Sequence, residues 1–460
     1  MPAPKERTDI LLRQERAVLA AVHLPESRFD TRDPLGELRS LAETAGATVV
    51  GELTQNRNVP EAGTYMGKGK LGELRAMCAE LNAGVVIFDH ELSPKQIAAI
   101  EEAVEVKVLD RSELILDIFA GRATTHEAKL QVELAQLQYT YPRLRAMWSH
   151  LERIVGHGGI GGIGTRGPGE QQLEIDRRLV QRRTVALKRE IEEIQARKSR
   201  EVRARNVESF TVGIVGYTNA GKSTLFNTLT AGGAFANDQL FATLVTRTRE
   251  WRLGGGLNVM LSDTVGFVRD LPTHLVASFR ATLEEATHAN LLLVVLDVSD
   301  PAAELQYQTV TETLDALEAD VRRIDERAGF DYTPPRRIVL LNKVDKLRDP
   351  AELRLWEARL GSTNGERNSI PFCATRKDTP EHDELVARVR SLAVGHVDEL
   401  EITLPMAESR AVTLIEKQGE VLERRYDGPN VVLRARLGSR QVERLRAGGT
   451  RLTVRPAAGE

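Results

Sequence analysis

Residues 210–224 read FTVGIVGYTNAGKST, and this stretch decides the fold. A run of aliphatic and β-branched residues, Phe210 to Val215, has the composition of a buried strand. It runs straight into Gly216, Gly221, Lys222 and Ser223 in the GxxxxGKS register. Strand, glycine loop and helix start follow in the order that a phosphate cradle needs. Glycines let backbone N–H groups turn inward around the phosphates, Lys222 meets the β and γ oxygens, and Ser223 brings a hydroxyl to magnesium (Mg2+). Gly216, Tyr217, Thr218, Asn219, Ala220, Gly221, Lys222, Ser223 and Thr224 are therefore the first candidate nucleotide contacts.

Working downstream, the apolar run LNVML leads to Asp263-Thr264-Val265-Gly266, a DxxG motif. At a strand end its aspartate can hold magnesium through water, and the Gly266 N–H can sense a γ-phosphate. After strand IVLL comes Asn342-Lys343-Val344-Asp345, and here the base is chosen. A carboxylate at Asp345 accepts both N1–H and the 2-amino group of guanine, whereas adenine offers no such donor pair. Asn342 would support the base and the Lys343 stem would cover its ring. Cys373-Ala374-Thr375 follows strand IPF, with the Ala374 N–H expected at the guanine oxygen and Cys373 expected as a core thiol. A metabolic P-loop kinase has no need of NKxD, so the sequence predicts GTP and GDP as ligands and GTP hydrolysis as the reaction.

Between the first two motifs, Asp238 to Leu244 read as a switch segment in which Thr243 is the candidate third magnesium ligand. Thr246 and Thr248 compete with it. Lys222, Thr243 and Gly266 are the catalytic candidates; Ser223, Thr243 and Asp263 are the metal candidates. Phe267 stands where many small G proteins carry a water-orienting glutamine, and an apolar ring cannot do that work. Slow intrinsic hydrolysis is expected, with the missing group supplied by rearrangement or by a partner. Asn219 has two readings: a turn residue of the loop, or a ligand for a monovalent ion such as potassium (K+).

On the upstream side, residues 17–120 alternate short aliphatic runs with helical stretches, Leu35 to Thr44 and Lys70 to Leu81 among them. That rhythm predicts an N-terminal α/β domain over 1–120. Over 121–206 a helical hairpin is expected. Leu130, Leu134 and Leu137 share one helix face, Leu173, Val180, Leu187 and Ile194 follow at heptad spacing beside Ile191, and eight of the fourteen residues of 156–169 are glycine. Basic residues outnumber acidic ones eleven to seven over 170–206. A solvated hairpin face and an RNA contact through Arg177, Arg178, Arg182 and Arg183 both fit, as do a plain linker and a functional tip for the glycine loop. A G domain over 207–397 and a small strand-rich domain over 398–460 complete a multidomain α/β chain: a Ras-like P-loop domain with a mainly parallel sheet and helices on both faces, flanked by an N-terminal α/β domain with its hairpin and by an α+β tail.

Bulk properties bound the rest. At 460 residues the chain exceeds one ordinary core, and a net charge of −3 leaves nucleic-acid contact to local patches. Two distant cysteines, Cys78 and Cys373, predict neither a zinc site nor a disulfide framework. The longest aliphatic run, Leu291 to Leu296, is far below the roughly 20 residues of a spanning helix. A soluble cytoplasmic monomer is expected.

The combination resembles the HflX family of ribosome-associated GTPases over nearly the whole chain. TYMGKGK from Thr64, LDRSELILDIFAGRATTHEAKLQVELAQLQY from Leu109 and GTRGPGEQQLEIDRR from Gly164 look like that family's signature outside the G domain, and DQLFATL and DTVGFVRDLP look like its switches. The resemblance implies a GTPase that docks on the large (50S) ribosomal subunit and, with GTP bound, splits stalled or idle 70S ribosomes under stress. It also implies that the glycine-rich tip, with Arg166, reaches 23S rRNA near the peptidyl-transferase region. Departures include Leu244 to Arg249 in place of the usual LDPTTR, Gln171 for threonine and Cys373 for serine. A large-subunit assembly factor is the competing reading, and an RNA-remodelling ATPase is disfavoured by Asp345.

Overall fold

The computed structural model describes residues 15–139, 141, 168–230, 241, 246–270, 286–327, 329, 332–347, 349–363, 365–447 and 449–457. The chain divides into two compact units: 1–196 with 237–245 and 268–281, and 197–236 with 246–267 and 282–460.

In the first unit, β1 (Arg16–His23), β2 (Thr48–Asn56), β3 (Val85–Phe88) and β4 (Lys107–Asp110) form a parallel sheet in the order β2-β1-β3-β4. After Arg16 every residue of β1 is buried, as expected of a central strand covered on both faces. Helices α1 (Gly36–Thr44), α2 (Lys68–Glu80) and α3 (Pro94–Val104) connect successive strands, and α4 (Arg111–Arg122) follows β4. Local signals set their starts: Ser93 and Gln96 form a capping box on α3 with Pro94 in the first turn, and the Asp110 carboxylate accepts from the Glu113 N–H to open α4. Val18, Val86, Phe88, Leu74 and Ile100 lie in one core.

Residues 126–139 are helical, and α5 (Pro168–Glu208) runs for 41 residues. Leu130 and Leu134 pack with Leu187 and Ile191, with Leu137 and Ile194 against them; Val180, from the same heptad stripe, is not in this cluster. Pro168 and Gly169 already belong to α5 instead of the glycine-rich loop, because a proline loses nothing in a first turn whose N–H groups have no partners. The rest of that loop, Arg166 included, and the side chain of Leu173 lie outside the described residues.

The second unit holds β5 (Thr211–Gly216), α6 (Lys222–Thr230), β6 (Arg247–Arg252), β7 (Asn258–Asp263), β8 (Leu291–Asp297), α7 (Ala303–Arg327), β9 (Arg336–Asn342), α8 (Pro350–Leu360), a short hairpin of β10 (Ser362–Thr363) and β11 (Glu366–Arg367), β12 (Ser369–Pro371) and α9 (Pro380–Val394). Six of these strands order as β12-β9-β8-β5-β7-β6, all parallel except β6. Strands β5 and β8 are fully buried, which is why they read as unbroken apolar runs and not as alternation. Beyond them, β13 (Val397–Pro405), α10 (Ser409–Gln418), β14 (Glu420–Asp427), β15 (Asn430–Gly438), α11 (Ser439–Ala447) and β16 (Thr453–Pro456) form an antiparallel sheet in the order β14-β15-β13-β16. Its core includes Ile402, Leu433, Ile415 and Leu445, so both helices contribute to it.

Candidate functional site

Ligands of open parallel sheets collect beyond the carboxyl ends of the strands. At that edge β5 passes into the glycine loop and α6, β7 ends at Asp263, β8 at Asp297 and β9 at Asn342. Four sequence-distant segments are thereby brought to one edge by register alone, Asp297 standing opposite Asn342.

The loop itself is tightly determined. Gly221 adopts φ +99°, where an L side chain is strained, and a Cβ there would strike the Asn342 amide. The Lys222 side chain is buried, and its ammonium donates to the Tyr217 carbonyl at 2.5 Å. Burial holds its pKa down at about 8, opposed by the nearby Asp263 charge and reinforced by that of Lys343. Ser223 Oγ donates to Asp263 Oδ2 at 2.8 Å. A hydroxyl and a carboxylate set side by side are hard oxygen donors, so the pair fits a magnesium ion that takes the rest of its shell from water and phosphate.

The DxxG segment lies directly on the loop. Phe267 N–H donates to the Gly216 carbonyl at 3.1 Å, and its carbonyl accepts from the Thr218 N–H at 2.8 Å. Gly266 is so close that a Cβ would lie 2.8 Å from Thr218 Cγ2 and 2.9 Å from Lys222 Nζ, which explains the glycine. Thr264 is buried with its hydroxyl donating to the Ile214 carbonyl of β5, and Val265 is buried too. The Phe267 side chain is 2% exposed and packed inward. The position expected to lack a water-orienting group is thus part of the core.

At the base-facing end, Asn342 Nδ2 donates to the Ala220 carbonyl at 2.7 Å, and its Oδ1 accepts from the Ala374 N–H at 2.9 Å. The Ala374 N–H, expected at the guanine oxygen, is therefore engaged by Asn342 in this structure. Lys343, at φ 61°, donates to the Asn219 carbonyl at 3.0 Å and pairs with Asp297 at 2.5 Å. Asp345 is exposed in a short 3-10 turn, Val344–Lys346. Cys373 is not the core thiol expected from its strand-flanking position: it is half-buried, because β12 stops at Pro371, and its Sγ donates to Asp345 Oδ1 at 3.2 Å and lies 3.3 Å from Thr375 Oγ1. Asp297 carries no motif of its own and was invisible to spacing; only the parallel register discloses it.

Thr243 lies outside the described residues. Of its rivals, Thr248 stands in β6 with its hydroxyl 3.0 Å from Ser262 Oγ, a cross-strand pair within the sheet. Asn219 is exposed at φ 60°.

Two residues past Phe267, the chain belongs to the first unit. There Arg269 pairs with Asp89 at 2.8 Å and Glu37 at 3.4 Å, its carbonyl accepts from Arg111 at 2.9 Å, and Arg111 pairs with the same two acids at 2.6 and 2.7 Å. Both guanidinium groups are nearly inaccessible, so the four charges neutralise one another away from water. No sequence motif announced this cluster. On α5, Arg177, Arg178 and Arg182 are exposed, whereas Arg183 makes a bidentate pair with Glu133 at 2.6 and 2.7 Å. Arg178 and Arg182 line a shallow surface groove of about 390 Å³ with Val185 and Arg189.

Residues 211–343 match a family described as 50S ribosome-binding GTPase, 32–120 one described as GTP-binding GTPase N-terminal, and 122–205 one described as GTP-binding GTPase Middle Region. The chain is similar to the GTPase HflX of Lacrimispora saccharolytica, 39% identical over 430 residues that cover 92% of this chain and 93% of that one. It is 42% identical to the GTPase HflX of Escherichia coli over 336 residues, 73% and 74% of the two chains. Among solved structures, a GTP-binding protein of Sulfolobus solfataricus in complex with GDP matches at 24% identity and TM-score 0.40, over 83% of this chain and 99% of that one.

Proposed function

Since this chain belongs to the HflX family of GTPases, we propose that it binds the large (50S) ribosomal subunit and uses its GTPase cycle to split stalled or idle 70S ribosomes under stress. The carrying observation is the match of residues 211–343 to a 50S ribosome-binding GTPase family, on the stretch that holds the candidate phosphate loop, DxxG and Asn342-Lys343. The exposed arginines of α5 support an RNA partner. Phosphate pairing along a long helix needs no base reading, and exposed Arg177 and Arg182 are better candidates than Arg183, which Glu133 holds.

Within this reading Lys222 meets the β- and γ-phosphates, Ser223 and Asp263 hold magnesium with Thr243 joining them, and the ion draws off charge on the transferred phosphoryl group. Asp345 selects guanine, with Asn342, Lys343 and the loop at Ala374 around the base. Phe267 supplies nothing to the attacking water, so the ribosome completes the site. Asn219 is exposed where a monovalent cation can join the phosphates; faster turnover in potassium than in sodium at equal ionic strength tests it, and equal rates would remove the ion from the mechanism. The domain limits set out above, a monomeric state and a cytoplasmic location belong to the same proposal; no described helix is long and apolar enough to cross a membrane.

The deciding experiment measures GTP turnover alone, with 50S subunits and with 70S ribosomes, beside Lys222→Ala. Strong stimulation by 50S is expected, together with release of subunits from 70S particles when a non-hydrolysable GTP analogue is bound. Stimulation without release would favour an assembly role, and no stimulation would overturn the ribosomal proposal.

A further inference from the structure

The lysine of the NKxD motif does not hang free at the edge of the sheet. Its ammonium sits between two acceptors, the Asn219 carbonyl at 3.0 Å and the Asp297 carboxylate at 2.5 Å. Asp297 is itself held: Oδ2 faces Lys343, and Oδ1 accepts from the Ser299 N–H at 3.1 Å and from Ser299 Oγ at 2.6 Å. Backbone register fixes the origin of both side chains, because Asp297 stands opposite Asn342 and the Val298 N–H donates to the Asn342 carbonyl at 3.1 Å. The two side chains are 11% and 22% exposed, so the pair is screened less than a surface ion pair. Lys343 and Asn219 both adopt left-handed backbone conformations, φ 61° and 60°, and their pairing joins the base-binding turn to the phosphate loop.

We propose that Asp297 is a positioning residue for guanine-nucleotide binding: oriented by Ser299, it pins the Lys343 ammonium against the phosphate loop and so fixes the aliphatic stem before nucleotide arrives. A free lysine stem has four rotatable bonds, and freezing them at the moment of binding costs affinity that preorganisation removes. Asp297 touches neither base nor phosphate in this role. Its effect is felt equally by GDP and GTP, which share the guanine, and it leaves the chemical step alone. The proposal rests on the assignment of Lys343 to the base.

Asp297→Asn keeps the shape and removes the charge. It is expected to weaken GDP and GTP alike by about tenfold, the equivalent of about 1.4 kcal/mol, raising KM with kcat at saturation unchanged. The ratio of GTP to inosine triphosphate affinity should not move, because the 2-amino group is read by Asp345. In the Lys343→Met background the Asp297→Asn loss should vanish. If Asp297→Asn folds poorly, as a lowered Tm would show, Asp297→Glu keeps the charge one methylene out of place and should give the same rise in KM with the same unchanged GTP-to-inosine ratio. Wild-type affinity in the aspartate variants, or losses that add to that of Lys343→Met, would overturn the proposal while leaving Lys343 on the base. A Lys343→Met variant that binds like wild type would instead overturn the assignment beneath it, and the proposal with it.

Discussion

Lys222 sets up a proton linkage that can be measured. Its amine is buried, and its pKa is held at about 8 instead of the usual 10.5, first by desolvation. A β-phosphate beside it restores the charged form, so the bound state holds this proton more tightly than the free state. Binding must therefore take up a proton, and affinity must fall as pH rises through about 8. At pH 7 roughly a tenth of the amines lack the proton, at pH 8 about half, and at pH 8.5 about three-quarters. The cost of reprotonation makes GDP bind about fourfold more weakly at pH 8.5 than at pH 7, or about 0.8 kcal/mol. Calorimetry in two buffers of different ionisation enthalpy should find uptake of about half a proton per GDP at pH 8. Guanosine monophosphate, which lacks the β- and γ-phosphates, should show neither effect. The range stays below that in which guanine N1–H ionises. Flat affinity with no proton uptake, or the same uptake with guanosine monophosphate, would refute the placement of Lys222 on the terminal phosphates.

Phe267→Gln should leave intrinsic turnover no faster than wild type, because the side chain at this position points into the core and its backbone is bonded to Gly216 and Thr218; a faster single-turnover rate would show that the position faces the water after all. Gly266→Ala should lower GTP turnover by about 10²-fold, the scale of one lost phosphate-facing donor, since its Cβ would collide with Thr218 and Lys222; a single-turnover rate within a few-fold of wild type would count against that. Cys373→Ser should preserve GTP affinity because a hydroxyl can still donate to Asp345, whereas Cys373→Val should weaken it several-fold by removing a donor; indistinguishable dissociation constants for the two variants would show the thiol to be a bystander. Arg111→Ala strips one cation from the buried cluster with Asp89, Glu37 and Arg269 and should cost about 3–5 kcal/mol in denaturant unfolding, while exposed Arg177→Ala should cost almost nothing.

How far the sequence reached depended on whether a residue's function is written in its neighbours. The candidate phosphate loop, DxxG and NKxD are each contiguous, because backbone N–H groups and side chains of one turn surround one ligand only as chain neighbours, so spacing alone is enough to propose them. The parallel sheets were legible for a similar reason: strands buried on both faces, such as β5 and β8, leave unbroken apolar runs. Asp297, Asp89 and Glu37 were not legible. Each acts through a partner tens of residues away or more, and a lone acidic residue at a strand or helix end looks like a solvated cap. The misplacement of Cys373 has the same origin, since a thiol after an apolar triplet suggests a core until the shortness of β12 exposes it beside Asp345. Arg269 shows what this costs a sequence reading. Taken as a string, DTVGFVRD is one switch motif; taken with its partners, it is two anchored halves. Phe267 is bonded to the phosphate loop, and Arg269, two residues on, is enclosed by Asp89, Glu37 and Arg111. No motif in the sequence records the ion pairing around Arg269, because its partners come from residues 37, 89 and 111, far from it along the chain.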